Sequence, residues 1–196
     1  KIFRLANHKM NTGDFKGALN LAYYIKGLGS GYFVSYIVSG LLIDIGVGLG
    51  NEEIVKEGVE LLQKDFETIV HDERYASSAY YNRDNGYSAL FNFKMMKDPY
   101  VGCFKKTELD QAKVYYRKVL NYDLRDALFA SQTWVNLGNC FDHLGRVVDA
   151  LECYEEALRR KPDHGMALGN KGLALRYYAV LAGEHPRTFL LEAYSL

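Results

Sequence analysis

The sequence predicts an all-α fold built of antiparallel helix pairs, each stacked on the next, and three observations predict it. Between Ser131 and Pro162 two apolar stripes at helical spacing are separated by Gly145 and closed by the proline. The first half of that unit returns from Gly165, about 34 residues on. A chain of 196 residues with 48% hydrophobic content can also bury a sizeable core or several stacked units.

The unit from Ser131 is the clearest. Trp134, Leu137 and Phe141 recur at i, i+3 and i+7, so they share one stripe of a first helix that faces the core. Gly138 costs a helix about 1 kcal/mol and therefore needs a packing reason, namely the close approach of a second helix. Ala150, Tyr154 and Ala157 supply the matching face, small residues at the crossing and one aromatic filling the gap. Arg159, Arg160 and Lys161 place positive charge at a helix C-terminus, and Pro162 cannot continue that helix. Trp134 is expected to be buried against Tyr154.

Together Trp134, Leu137, Gly138, Phe141, Gly145, Ala150, Tyr154, Ala157 and Pro162 resemble the tetratricopeptide repeat (TPR) family. The resemblance implies a right-handed superhelical solenoid in which first helices line a concave groove that holds a peptide or a partner helix. About five pairs are expected, at 1–30, 31–74, 75–130, 131–164 and 165–196, read as a single repeat domain and a fragment of a longer chain. In the last, Leu168, Gly172 and Leu175 fall in place, then Gly183 and Pro186 mark a longer turn. In the third, Tyr80, Asp84 and Tyr87 stand where Trp134, Gly138 and Phe141 do, and Ala112 with Tyr116 opens a second helix. Between them Phe91 to Thr107 reads as an inserted loop, apolar enough to pack on the fold or cover a partner surface. Gly13-Asp14-Phe15 followed by Ala18 and Ala22 reads as the turn and second helix of the first pair. The second pair is looser, with Gly46 to Asn51 as its connection.

A second resemblance rests on Asn136 to Cys140, Met166 to Gly172, Ala182 to His185 and Thr188 to Tyr194, which look like bacterial repeat regions preceding a HEPN-type ribonuclease domain. It implies a regulatory or sensor segment whose nuclease lies beyond Leu196. Arg159 and His164 meet the nuclease spacing formally, but Pro162 stands between them in an inter-repeat turn.

Composition narrows the partner. Twenty-four Lys plus Arg balance twenty-four Asp plus Glu, which removes the basic footprint of direct nucleic-acid binding. Cys103, Cys140 and Cys153 form no CxxC pair, and a reducing, cytoplasmic setting fits them. No uninterrupted apolar run reaches the roughly 18 residues of a membrane span, so no membrane partner is expected. Gly27 to Gly31 and Gly46 to Gly50 complete neither GxGxxG nor a P-loop and read as helix-joining turns. Cys140 and His143 have metal-like spacing without a second ligand pair, so neither metal nor cofactor is expected. His71 to Arg74 reads as a solvated helix end. No catalytic motif appears, and the expected function is an interaction scaffold that binds protein or peptide, not an enzyme.

Asparagine carries the site expectation. Counting from Ser131, Asn136 and Asn139 take the sixth and ninth positions of their first helix, Asn82 and Asn85 match them upstream, and Asn170 takes the sixth downstream. A row of carboxamides offers donors and acceptors to an extended peptide backbone, with Tyr81, Val135 and Tyr177 adding apolar contact. The family's carboxylate clamp needs Lys or Arg where this chain has Tyr81, Val135, Met166 and Asn170, so that clamp is not expected.

Overall fold

A computed structural model describes residues 1–98, 107–122 and 124–182. Among the described residues there are nine helices and no strand. They are α1 (Ile2–Asn11), α2 (Phe15–Gly27), α3 (Tyr32–Leu49), α4 (Glu52–Val70), α5 (Ala76–Lys97), α6 (Thr107–Leu120), α7 (Ala127–His143), α8 (Val147–Arg160) and α9 (Gly165–Ala182). The chain divides into two compact units, Lys1–Gln111 and Ala112–Leu196.

In the first unit, the turn before α2 is fixed by Asp14, whose carboxylate accepts from the Gly17 N–H at 2.8 Å and caps the helix. Fully buried Ala6, Ala18 and Ala22 form one core with Val38, Leu41, Leu42 and Ile45 of α3. The α3 and α4 helices run antiparallel, because Ser35 donates to Asp65, Ile43 lies on Gly58 and Gly46 lies on Val55. The α5 helix reverses again, with Tyr80 edge-on to Phe66 at 5.3 Å and Gly86 against Val59.

Three expectations change here. The connection read at Gly46 to Asn51 contracts, because Gly46 and Gly48 stay inside α3. They are contact points: a Cβ at Gly46 would meet the Val55 backbone nitrogen at 2.8 Å, and one at Gly48 would meet the Phe15 ring at 2.2 Å. The turn is made by Gly50, left-handed at φ 63°, and by Asn51, whose Oδ1 accepts from the Glu53 and Ile54 N–H groups.

The inserted loop expected from Phe91 begins later, since α5 continues to Lys97. Phe91 is buried and Phe93 packs on the cluster of Ile43, Val55, Val59 and Ala89, so apolar contact with α3 and α4 extends the helix. Pro99, Tyr100, Gly102 and Phe104 lie outside the described residues, as do Gly183, Pro186 and everything after them.

The third change concerns α3. Its 18 residues have a mean hydropathy of 1.7, long and apolar enough to cross a membrane by length and composition. Gly, Ser, Tyr and Asp44 interrupt the run, which hides it from a count of consecutive apolar residues. Within the first unit α3 is packed against α1, α2, α4 and α5, and that central position accounts for its apolarity.

In the second unit, Asp126 caps α7 by accepting from the Leu128 and Phe129 N–H groups at 2.9 and 3.0 Å. Gly145, left-handed at φ 74°, turns the chain into α8. The two helices run antiparallel: Ser131 Oγ donates to the Ala157 carbonyl at 2.9 Å at one end, and Arg146 lies over the Phe141 ring at the other. Between them the Tyr154 ring presses on Gly138, where a Cβ would come within 2.5 Å. The close approach anticipated from Gly138 is therefore present.

Leu137, Phe141, Ala150, Tyr154 and Ala157 are buried as expected, but Trp134 is half-buried. The α7 helix packs on both α8 and α9, so its covered face is broad and takes in Val135 and Cys140. Tyr154 fills the crossing, and the bulky indole, a side chain rarely covered completely, stays at the edge. Trp134→Ala should accordingly cost about 2 kcal/mol in urea unfolding, below the range for a fully buried aromatic.

Candidate functional site

Asn139, Asp142 and His143 stand at i, i+3 and i+4, hence on one face of α7 near its C-terminus. Asn170 and Leu173 share a face of α9. With Tyr154 these residues line an open recess of about 230 Å³ within the second unit. The α8 helix lends only Tyr154 to it, and the rest of its lining comes from α7 and α9.

A hydrogen-bond network fixes the recess. Tyr154 Oη donates to Asn139 Oδ1 at 2.9 Å, and Asn170 Nδ2 donates to the same oxygen at 2.8 Å. Burial pushes the Tyr154 hydroxyl well above its ordinary range, so it stays protonated and remains a donor. Both lone pairs of the Asn139 carbonyl are thereby engaged. Among the described residues, Asn139 Nδ2 and Asn170 Oδ1 make no hydrogen bond, which leaves one amide donor and one carbonyl acceptor side by side.

The other expected site residues are placed differently. Asn136 accepts from Gln132 Nε2 at 3.0 Å, one turn earlier in its own helix. Val135 is fully buried and cannot flank a ligand, because α7 is covered on that side. Tyr177 is 49% exposed and continues the face of Asn170 and Leu173, with Met166 at its other end. Tyr81, Asn82 and Asn85 are half-buried on α5, in the first unit, and the Asn82 amide lies over Gly40.

Asp142 and Leu173 were not anticipated as site residues, although the i, i+3 spacing of Asp142 from Asn139 was there to be read. His164, formally paired with Arg159 by spacing, is buried, and its Nδ1 accepts from the Ala167 N–H at 3.3 Å, capping α9. Cys140 and Cys153 are buried free thiols, and burial pushes Cys153 up to about 12. Among the described residues no group of three or more His, Cys, Asp or Glu could hold a metal ion. The solvated helix end at His71 to Arg74 is an ion pair, in which the Arg74 side chain holds the Asp72 carboxyl down at about 2.

Comparison with known proteins bears on the fold. No curated protein matches the sequence significantly. A crystal structure of MamA is similar at a TM-score of 0.59 with 20% identity, over 97% of this chain and 92% of that one. Another MamA structure gives 0.60 at 20% identity over 99% and 88%, and MamA AMB-1 gives 0.52 at 17% over 100% and 89%. The tetratricopeptide repeat family matches residues 131–164, the pair of α7 and α8 with its closing turn. The chain thus carries a tetratricopeptide repeat at its recess, within an all-helical fold of the kind seen in MamA.

Proposed function

We propose that this chain is a protein-interaction scaffold, and that the recess between α7 and α9 holds an extended segment of a partner by its backbone. The observation that carries the reading is the free donor of Asn139 beside the free acceptor of Asn170. A peptide unit presents one C=O and one N–H, so this pair matches it whatever side chain it bears. Met166, Leu173 and Tyr177, all exposed, extend an apolar strip along α9 on which partner side chains can pack. A binding role suits the recess better than catalysis, because the Tyr154 hydroxyl is held protonated and spent on Asn139. A reducing, cytoplasmic setting suits the buried thiols of Cys140 and Cys153.

The test begins with peptides selected on the full chain from a random short-peptide library. Each neutral hydrogen bond contributes about 0.5 to 1.5 kcal/mol, so Asn139→Ala with Asn170→Ala should weaken calorimetric affinity by about tenfold or more. Circular dichroism should show the helices intact. Unchanged affinity in a folded double variant rejects the reading.

A further inference from the structure

The recess holds one charge that its surroundings leave unanswered. Asp142 lines it beside Asn139 and is half-buried, yet its carboxylate makes no hydrogen bond or ion pair among the described residues. Four of its five acidic neighbours on α8 and the following turn are paired, the exposed Glu152 being the exception. Asp149 pairs with Arg146, Glu155 with Lys171, Glu156 with Arg159 and Asp163 with Lys161. An anion beside a free backbone-reading pair, with Leu173 and the Tyr154 ring in the same recess, has the form of a side-chain subsite.

We infer that the recess selects a cationic side chain of the bound peptide, Arg or Lys, through Asp142. This rests on the peptide-binding reading and goes beyond it, since Asn139 and Asn170 read only the backbone. The occupant is set by charge complementarity. A basic side chain laid across the recess can rest its aliphatic stem on exposed Leu173 while its head reaches the carboxylate. Arginine should be preferred, because its planar fork matches a carboxylate through two parallel hydrogen bonds. An acidic peptide would bring like charge to a half-buried anion and be excluded.

The experiment scans every position of a library-selected peptide on an array, using the full chain in four forms: unchanged, Asp142→Asn, Asp142→Lys and Glu152→Gln. Glu152 is exposed on α8 and outside the recess, so its variant controls for net charge alone. The unchanged chain and Glu152→Gln should prefer Arg or Lys at one position. Asp142→Asn should lose about tenfold for that peptide, the worth of one charge-assisted hydrogen bond. Asp142→Lys should turn the preference toward Asp or Glu. Added salt should weaken the basic peptide's binding to the unchanged chain more than to Asp142→Asn. Peptides that bind without basic preference, or a preference that survives in Asp142→Asn, overturn this inference and leave backbone reading standing. Failure of every peptide to bind overturns both.

Discussion

Replacing Tyr154 with alanine should destabilise the second unit by about 3 to 5 kcal/mol, the range for a fully buried aromatic removed from a core. Tyr154 is 1% exposed, its ring lies on the backbone at Gly138, and its hydroxyl bonds Asn139. Truncation opens a cavity at the crossing of α7 and α8, which Gly138 cannot fill because it has no side chain. It also releases the Asn139 carbonyl from one of its two donors. Tyr154→Phe separates these contributions: it keeps the packing and should lose only about 1 kcal/mol, one net hydrogen bond. Urea unfolding followed by circular dichroism measures both variants. A loss in Tyr154→Ala as small as that of Tyr154→Phe would show that the ring does not hold the helix pair together.

Gly46→Val is the strongest expected disruption in the first unit, at about 3 kcal/mol, the upper part of the overpacking range. A Cβ there would meet Val55 Cγ2 at 2.6 Å, the Val55 nitrogen at 2.8 Å and the Asn51 carbonyl oxygen at 3.1 Å. Two of those atoms are backbone, so relief requires α3 and α4 to move apart along a seam that Gly58 also shares. Removing a glycine from a helix returns less than 1 kcal/mol, too little to offset the clash. Gly50→Ala is the contrasting control. That glycine meets nothing within 4 Å, and its φ of 63° should cost only about 1 to 2 kcal/mol. Equal losses at the two positions, measured by thermal and urea unfolding, would mean that close helix approach at Gly46 is not the constraint.

These glycines also show what the sequence could and could not convey. Gly138 was legible because Ala150, Tyr154 and Pro162 stand at the distances that explain it, all within one repeat. Gly46 and Gly48 were ambiguous, since a glycine-rich run is equally a turn or a contact, and what decides is Val55 and Phe15 across the interface. Phe91 and Phe93 looked like an inserted loop for the same reason: Phe91 is buried, and Phe93 packs on Ile43 and Val59, which lie far back in the chain. Trp134 shows the opposite error, where an i, i+3, i+7 stripe assigned a side chain to the core although Tyr154 already filled the space.

The site divides along the same line. Periodicity placed Asn139 and Asn170 on first helices of consecutive repeats, but not the bond between them, nor the second donor from Tyr154. Those bonds decide which amide groups remain available. Asp142 went unnoticed because a lone carboxylate near a helix end resembles solvated surface. It becomes informative only when its neighbours' ion pairs are known.

The most direct measurement is nuclear magnetic resonance of the isotope-labelled full chain titrated with a library-selected peptide, following the side-chain amide signals of Asn139 and Asn170. Both should shift progressively and saturate together with the backbone signals of α7 and α9. A peptide that binds and saturates while leaving both carboxamide signals in place would contradict backbone reading at this recess.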